Sequence, residues 1–329
     1  MNSTTDFSSP ALINIKNASF YIDVIQGLAN TPKYLDSKYF YDEKGDELFQ
    51  QIMKSPEYYL TNCELEILSE QTAQITDVIY DSLKDFDLVE LGVGDAIKSN
   101  FLLKRFIKNN IDFTYFPIDI STNVITNLSE ALPYQLPGLA VSGLNGEYFE
   151  MLKKANELSQ RNKVVLFLGS NIGNMSPQEA EKFCLTLKEH LLPGDLVLIG
   201  FDLKKDPQTI LNAYNDKQGY TREFNLNLLS RINKELQADF NILQFQHFPI
   251  YDPQTGSCIS YLISKIDQNV HIGPTEHQFH FAKHETIKME VSQKYGIEQI
   301  NLLAKSAGFK PVTNFFDSKK WFVDAIWKV

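Results

Sequence analysis

Cysteine is scarce in this sequence, with only Cys63, Cys184 and Cys258 among 329 residues. An odd number with no CxxC spacing supports neither a disulfide framework nor a thiolate zinc site, and it points to a reducing, cytoplasmic compartment. Long apolar runs are missing as well. No stretch approaches the roughly 18 residues of a membrane span, and residues 1–9 carry neither the basic nor the apolar region of a secretory signal, so a chain that is neither exported nor membrane-spanning is expected. Positive charge is in deficit: 31 Lys and Arg stand against 41 Asp and Glu, a formal net charge of −10. That is the wrong sign for attracting a phosphate backbone, which excludes nucleic acid as an expected partner. Internal repeats and low-complexity tracts are also absent. What remains is an ordinary globular composition, 43% hydrophobic and 22% charged, able to bury a core. The length suits two domains, or one large domain with an insertion. No unexplained apolar stripe suggests an interface, so a monomer is the default.

The order of apolar runs and helix starts carries the fold. Residues 88–91 (LVEL) form a short apolar run that ends in Gly92-Val93-Gly94, and an amphipathic pattern through Leu102, Leu103 and Phe106 follows. This reads as strand, tight turn, helix. A second run, residues 115–120, ends near Asp119 and is followed by Ser121, a good helix N-cap. A third, residues 164–168, leads into a Gly169-to-Asn174 turn, and Ser176-Pro177-Gln178-Glu179 then supplies a capping box with proline at the first helical position. A fourth covers residues 196–201. Apolar strands alternating with helices imply a parallel, doubly wound α/β sheet. The alternation stops from about residue 204 to 295, where a helix over 223–236 and strands over 245–250 and 261–266 are expected in an inserted region. A helix over 296–306 and a closing hairpin from residues 311–316 and 321–329 complete the chain. Near the other end, Thr61-Asn62-Cys63-Glu64 reads as a capping box opening a long helix toward Leu83.

A glycine turn after a strand lets backbone approach a ligand, and an acid ending the next strand, Asp119, can accept hydrogen bonds from ribose hydroxyls. Asp119 lies further along than the roughly 20 residues of a dinucleotide fingerprint, and Gly92 and Gly94 could simply turn the chain while Asp119 caps a helix. His277, His280 and His284, with His271, invite a metal reading. In strand alternation, however, His280 and His284 face one side and His277 the other, so packed or solvated histidines are favoured and no metal is expected. Cys63 has no neighbouring His in the sequence to activate it as a nucleophile.

Ala307-Gly308-Phe309 followed by a C-terminal hairpin resembles the end of class I S-adenosylmethionine-dependent methyltransferases, whereas nicotinamide dehydrogenases do not usually end that way. Further motifs stand in one order: Tyr41-Asp42 with Gly45, Glu47-Leu48-Phe49, Pro56-Glu57-Tyr58-Tyr59 with Thr61, and Glu90 through Gly94 with Lys98. After these come Phe167 through Asn174, Gly200 through Leu203 with Lys205-Asp206, Ala213-Tyr214 with Asp216, Phe224-Asn225 with Asn227 through Asn233 to Phe240, and Glu290-Val291-Ser292 with Lys294. From about residue 39 to 329 the chain resembles the histidine-specific Nα-methyltransferase family of ergothioneine biosynthesis. The resemblance implies a class I methyltransferase domain over 61–203 and 294–329, with a mostly parallel sheet and a C-terminal antiparallel hairpin. It further implies a second, α+β, substrate-binding domain over 12–60 and 204–293.

The resemblance also implies S-adenosyl-L-methionine as cofactor, bound by Gly92, Lys98 and Asp119, with Tyr41 near both donor and substrate. Asn174 and Tyr214 would hold the substrate carboxylate, Tyr58 and Gly169 would line the amine side, and Glu290 with Ser292 would hold the imidazole of L-histidine. These residue types suit the roles, since Asn and Tyr donate to a carboxylate while Glu and Ser accept from ring N–H groups. Tyr41, Tyr58 and Asn174 are the catalytic candidates, and a water relay through Tyr58 is the expected route for the amine proton. Two positions depart from the family pattern. Leu144-Asn145 after Gly143 replaces an acidic-aromatic pair at the adenine position, where the Asn145 amide could serve. Ser260 aligns with a methionine packed on the substrate ring. Glu290 could instead be an ordinary salt-bridge partner, and Tyr41 and Tyr58 packing aromatics. The readings left open beside histidine Nα-methylation are methylation of another aromatic amino acid and a catalytically silent S-adenosylmethionine-binding protein.

Overall fold

The computed structural model describes residues 18–273 and 277–329. Residues 1–9 and the expected domain start at residue 12 lie outside them. The strands in chain order are β1 (Lys33–Tyr34), β2 (Phe86–Leu91), β3 (Thr114–Asp119), β4 (Ala140–Val141), β5 (Leu144–Asn145), β6 (Asn162–Phe167) and β7 (Leu196–Asp202). They continue with β8 (Phe245–Asp252), β9 (Ser257–Ser264), β10 (Gln268–Ile272), β11 (His277–Phe281), β12 (Thr286–Gln293), β13 (Lys310–Phe316) and β14 (Phe322–Lys328). The chain forms two compact units. One comprises the described part of Met1–Ser55 with Tyr214–Ile250 and Ile259–Glu290; the other comprises Pro56–Ala213, Tyr251–Cys258 and Val291–Val329.

The larger unit is built on an eight-stranded sheet in the order β13-β14-β7-β6-β2-β3-β4, with β5 also paired to β3. Strands β2, β3, β4, β5, β6 and β7 are parallel, β14 runs antiparallel to β7, and β13 antiparallel to β14. Parallel strands need helical crossovers, which cover both faces and explain why β2 and β7 are buried along their whole length. Alternation along each strand divides the side chains. Val89, Leu91, Val197, Ile199, Val323 and Ala325 enter one large core with Leu152, Phe183 and Ile300 from the helices Tyr148–Leu158, Pro177–Glu189 and Ile297–Ser306. Glu90, Gly200 and Asp324 therefore point to the opposite face, where the helices Tyr59–Glu70, Thr72–Ser82 and Ser99–Lys108 pack on one another and the first lies against β14. This order, with an antiparallel strand inserted between the parallel edge and its hairpin partner, is the class I methyltransferase fold.

The expected single helix from Thr61 toward Leu83 is two helices, Tyr59–Glu70 and Thr72–Ser82, broken at Gln71. The helix begins ahead of Thr61, so Thr61 and Glu64 cannot act as N-cap and N3. Glu64 instead turns its carboxylate inward, fully buried, to accept the Gly169 N–H. By contrast, Ser176 and Glu179 form the reciprocal capping box with Pro177 just inside the helix.

The smaller unit carries most of a second sheet, in the order β1-β12-β9-β8, and the antiparallel β10-β11 pair, together with the helices Ala18–Ala29, Glu43–Lys54 and Tyr220–Leu236. Phe224, Leu228, Leu229, Ile232 and Leu236 are buried at the expected helical spacing. Asp42 caps the helix Glu43–Lys54 by accepting from the Gly45 N–H at 2.7 Å and also from the Asn227 amide at 2.8 Å. His277 and His280 lie at opposite parity on β11, and His284 lies beyond it at φ +72°. His271 pairs with Asp239 and His280 with Asn269.

Candidate active site

In the larger unit the strand order reverses between β2 and β6, and ligands of doubly wound sheets bind beyond the carboxyl ends of strands at such a switch point. The residues there are Gly92-Val93-Gly94 after β2, Asp119 at the end of β3, Gly169 after β6 and Asp202 at the end of β7. Gly92 and Gly94 adopt φ of +70° and +57°, which a side chain would strain. A Cβ on Gly92 would fall 2.7 Å from Tyr148 Oη and 3.0 Å from Asn171 Nδ2, while space around Gly94 is open. Asp119 accepts from the Gly94 N–H at 3.3 Å and the Ser121 N–H at 2.9 Å, which fixes its carboxylate beside the glycine turn. A backbone cradle beside a fixed carboxylate fits a nucleoside-bearing ligand.

Lys98 precedes the helix Ser99–Lys108 and pairs with Glu64 at 2.5 Å; Glu64 also accepts the Gly169 N–H at 2.7 and 2.9 Å. Burial pulls the Lys98 ammonium down, but Glu64, Glu90 and Asp324 together hold it above its ordinary value. Asn145 donates its amide to the carbonyls of Asp119 at 2.9 Å and Ile120 at 3.0 Å and accepts from Thr122, so it ties β5 to the end of β3. Asn174 closes the short turn Asn171–Asn174 after β6 and is exposed. That turn begins at Ser170, whose left-handed backbone is anchored when Asp202 N–H donates to Ser170 Oγ at 3.2 Å.

Tyr58 is half-buried, at the residue that starts the helix Tyr59–Glu70. Its neighbour Tyr59 donates to Asp202 at 2.8 Å and accepts from Lys205 at 2.9 Å. Asp202, fully buried, also pairs with Lys205 and, at 2.7 Å, with Lys294, and Lys294 donates to Ser292 Oγ at 2.7 Å. Ser292 is thus fixed by a buried ion network rather than by strand pairing alone. Beside it, the Cys63 thiol is pushed up to about 12, by burial first and then by Asp317, which leaves it protonated and poorly nucleophilic.

The remaining candidates lie in the smaller unit. The Tyr41 ring makes edge contacts with Phe49 and Phe224, both at 5.7 Å between centroids. Tyr214, buried, follows the helix Pro207–Ala213, and Glu290 is half-buried on β12. Two residues apart on one strand, Glu290 and Ser292 project from the same face. Ser260 is buried on β9 and lies 3.2 Å from the His247 ring, whose pKa burial lowers to about 4.

Sequence reading passed over Tyr148, Asn171, Glu64 as a buried ion partner, and Asp324. The signal for Asp324 is visible afterwards, a lone acid inside the apolar run 322–327.

Residues 20–329 match the profile described as "Histidine-specific methyltransferase, SAM-dependent". The chain is 34% identical over 288 residues to a histidine N-alpha-methyltransferase of Mycolicibacterium smegmatis, covering 88% of each. It is 32% identical over 302 residues to the protein of that name from Mycobacterium tuberculosis, covering 92% of this chain and 90% of the other. To ergothioneine biosynthesis protein 1 of Neurospora crassa it is 30% identical over 292 residues, 86% of this chain and 32% of that longer protein.

Proposed function

Since the chain belongs to the histidine-specific, S-adenosylmethionine-dependent methyltransferase family, we propose that it methylates the α-nitrogen of L-histidine three times, giving the trimethyl betaine. The larger unit would be the donor-binding domain and the smaller the substrate-binding domain. The observation that carries the histidine reading is the placement of Glu290 and Ser292 on one face of β12, with Ser292 held by Lys294. A carboxylate and a hydroxyl at that spacing suit the two nitrogens of an imidazole.

The donor supplies an electrophilic methyl on a sulfonium centre. Gly92, Lys98 and Asp119 would hold it, and Asn145 would hold the strand ends around Asp119. Asn174 and Tyr214 would anchor the substrate carboxylate, Tyr58 and Gly169 would line the amine side, and the Tyr41 ring would face the cationic charge. In-line displacement demands orientation above all, which an anchored carboxylate and an anchored ring provide together. An α-ammonium is largely protonated near neutral pH, so each round must shed a proton before attack. Tyr58, with a water held near Gly169 and Asn174, would carry that proton away.

The test is kcat/KM for histidine and for tryptophan in two variants. Glu290→Ala is expected to lower the histidine value by about 10- to 100-fold while sparing tryptophan. Asn174→Ala is expected to lower both alike. An unchanged histidine preference in Glu290→Ala would reject the ring-anchor role.

A further inference from the structure

Beneath the switch point, three carboxyl groups are buried around one ammonium. Glu64 and Asp324 are fully buried and Glu90 is 3% exposed. Lys98 stands against them with 23% of its side chain exposed. They meet on the sheet face away from the large core: Glu90 from β2, Asp324 from β14, Glu64 from the helix Tyr59–Glu70, and Lys98 from the head of the helix Ser99–Lys108. Gly200 makes the room, because a Cβ there would fall 2.3 Å from Glu64 Oε1. Glu64 is satisfied by Lys98 and the Gly169 N–H. Glu90 accepts from Tyr115 at 2.5 Å and faces Ser99, Lys98 and Glu64. Asp324 faces Glu64 and Lys98, yet among the described residues neither of its oxygens has a hydrogen-bond partner.

A wholly buried carboxyl with both oxygens unpartnered is costly, and one ammonium cannot balance three carboxylates. Glu64 connects this surplus of acid to the carboxyl end of β6, where it accepts the Gly169 N–H. We propose that Asp324 and Glu90 form an anionic floor that selects the positively charged sulfonium donor over its neutral thioether product, releasing a proton as the donor binds. The inference rests on the donor site assigned to Gly92, Lys98 and Asp119, and it assigns that site its means of telling substrate from spent cofactor.

The balance is one of charge alone. Without ligand, burial favours protonated carboxyls, and the Glu90 pKa stands at about 7, raised by burial against the opposing pull of Ser99, Tyr115 and Lys98. A cation arriving at the carboxyl ends of β2 and β6 favours the carboxylate and expels the proton to solvent, whereas a neutral thioether leaves it in place. The amino-acid tail is common to both ligands, but the sulfonium makes the donor's own ammonium the more acidic, so any proton that tail takes up on binding works against the release expected here. Donor affinity therefore rises with pH through the neutral range, and product affinity stays level.

The experiment is isothermal titration calorimetry of the full chain at pH 7 in two buffers of different ionisation enthalpy. S-adenosyl-L-methionine and S-adenosyl-L-homocysteine are the ligands, and the proteins are the natural chain, Asp324→Asn and Glu90→Gln. The natural chain should release about 0.5 proton with the sulfonium ligand beyond any release with the thioether. Each variant should lose part of that difference, and its ratio of sulfonium to thioether affinity should fall about 10-fold. Thioether binding by the variants shows that they are folded; should one fail to bind it, the other carries the test. Equal proton counts for the two ligands, or an unchanged affinity ratio in both variants, would overturn the proposal while leaving the donor site standing. Failure of the natural chain to bind either ligand would overturn the site assignment and the proposal with it.

Discussion

His247 and Ser260 show what a single buried pair does to this molecule. The imidazole is 7% exposed and its pKa is lowered from 6.5 to about 4, chiefly by burial, with Asp216 pulling the other way. As pH falls the unfolded ring gains its proton near 6.5 while the folded ring resists until about 4, so stability declines across that window. The loss approaches the order of 3 kcal/mol at its acid end. Replacing His247 with Asn should flatten this part of the profile, read as urea midpoints from pH 7 to 4; an identical slope in the variant would contradict it. Gly200 offers a second check. A methyl group there must displace Glu64, so Gly200→Ala should cost about 1–3 kcal/mol in chemical unfolding.

Among the elements, two similar motifs fare differently. Ser176 through Glu179 and Thr61 through Glu64 both spell a capping box, but only the first is flanked by a glycine-rich turn and carries a proline just inside the helix. In the second, Tyr58 already starts the helix, and the acid is drawn to Gly169 and Lys98, partners distant in the sequence. Ser176→Ala is therefore expected to cost about 1 kcal/mol, whereas Thr61→Ala should stay within about 0.5 kcal/mol. Urea midpoints of the two variants compare them directly. The same contrast explains what was legible. The strands ending at Leu91, Asp119, Phe167 and Asp202, the helices after Ser121 and Ser176, and the closing hairpin all follow from local patterns. The two-residue strands β4 and β5 are too short to carry a periodicity, and the buried network joins the neighbours Asp202 and Lys205 to Tyr59 and Lys294, which lie far off in the sequence.

Over the whole molecule, the ordered motifs pointed to a family, and the sheet order and the profile match over residues 20–329 establish the class I fold and the family. The glycine turn, Lys98 and Asp119 gather at the switch point of one unit. Tyr41, Tyr214 and Glu290 belong to the other, and what recognises the amino acid is assigned by resemblance and chemistry. Among the described residues no helix is long and apolar enough to cross a membrane. Ser260, which the resemblance sets opposite a methionine, is engaged with His247, and in the proposed function the ring is selected by Glu290 and Ser292.

The most direct measurement is a competition. The chain is given S-adenosyl-L-methionine carrying a labelled methyl group and an equimolar mixture of the free amino acids, and products are identified by mass and fragmentation. Label is expected on the α-nitrogen of histidine alone, accumulating to the trimethylated product. Label on tryptophan or another amino acid in preference to histidine, or no label on any, would contradict it.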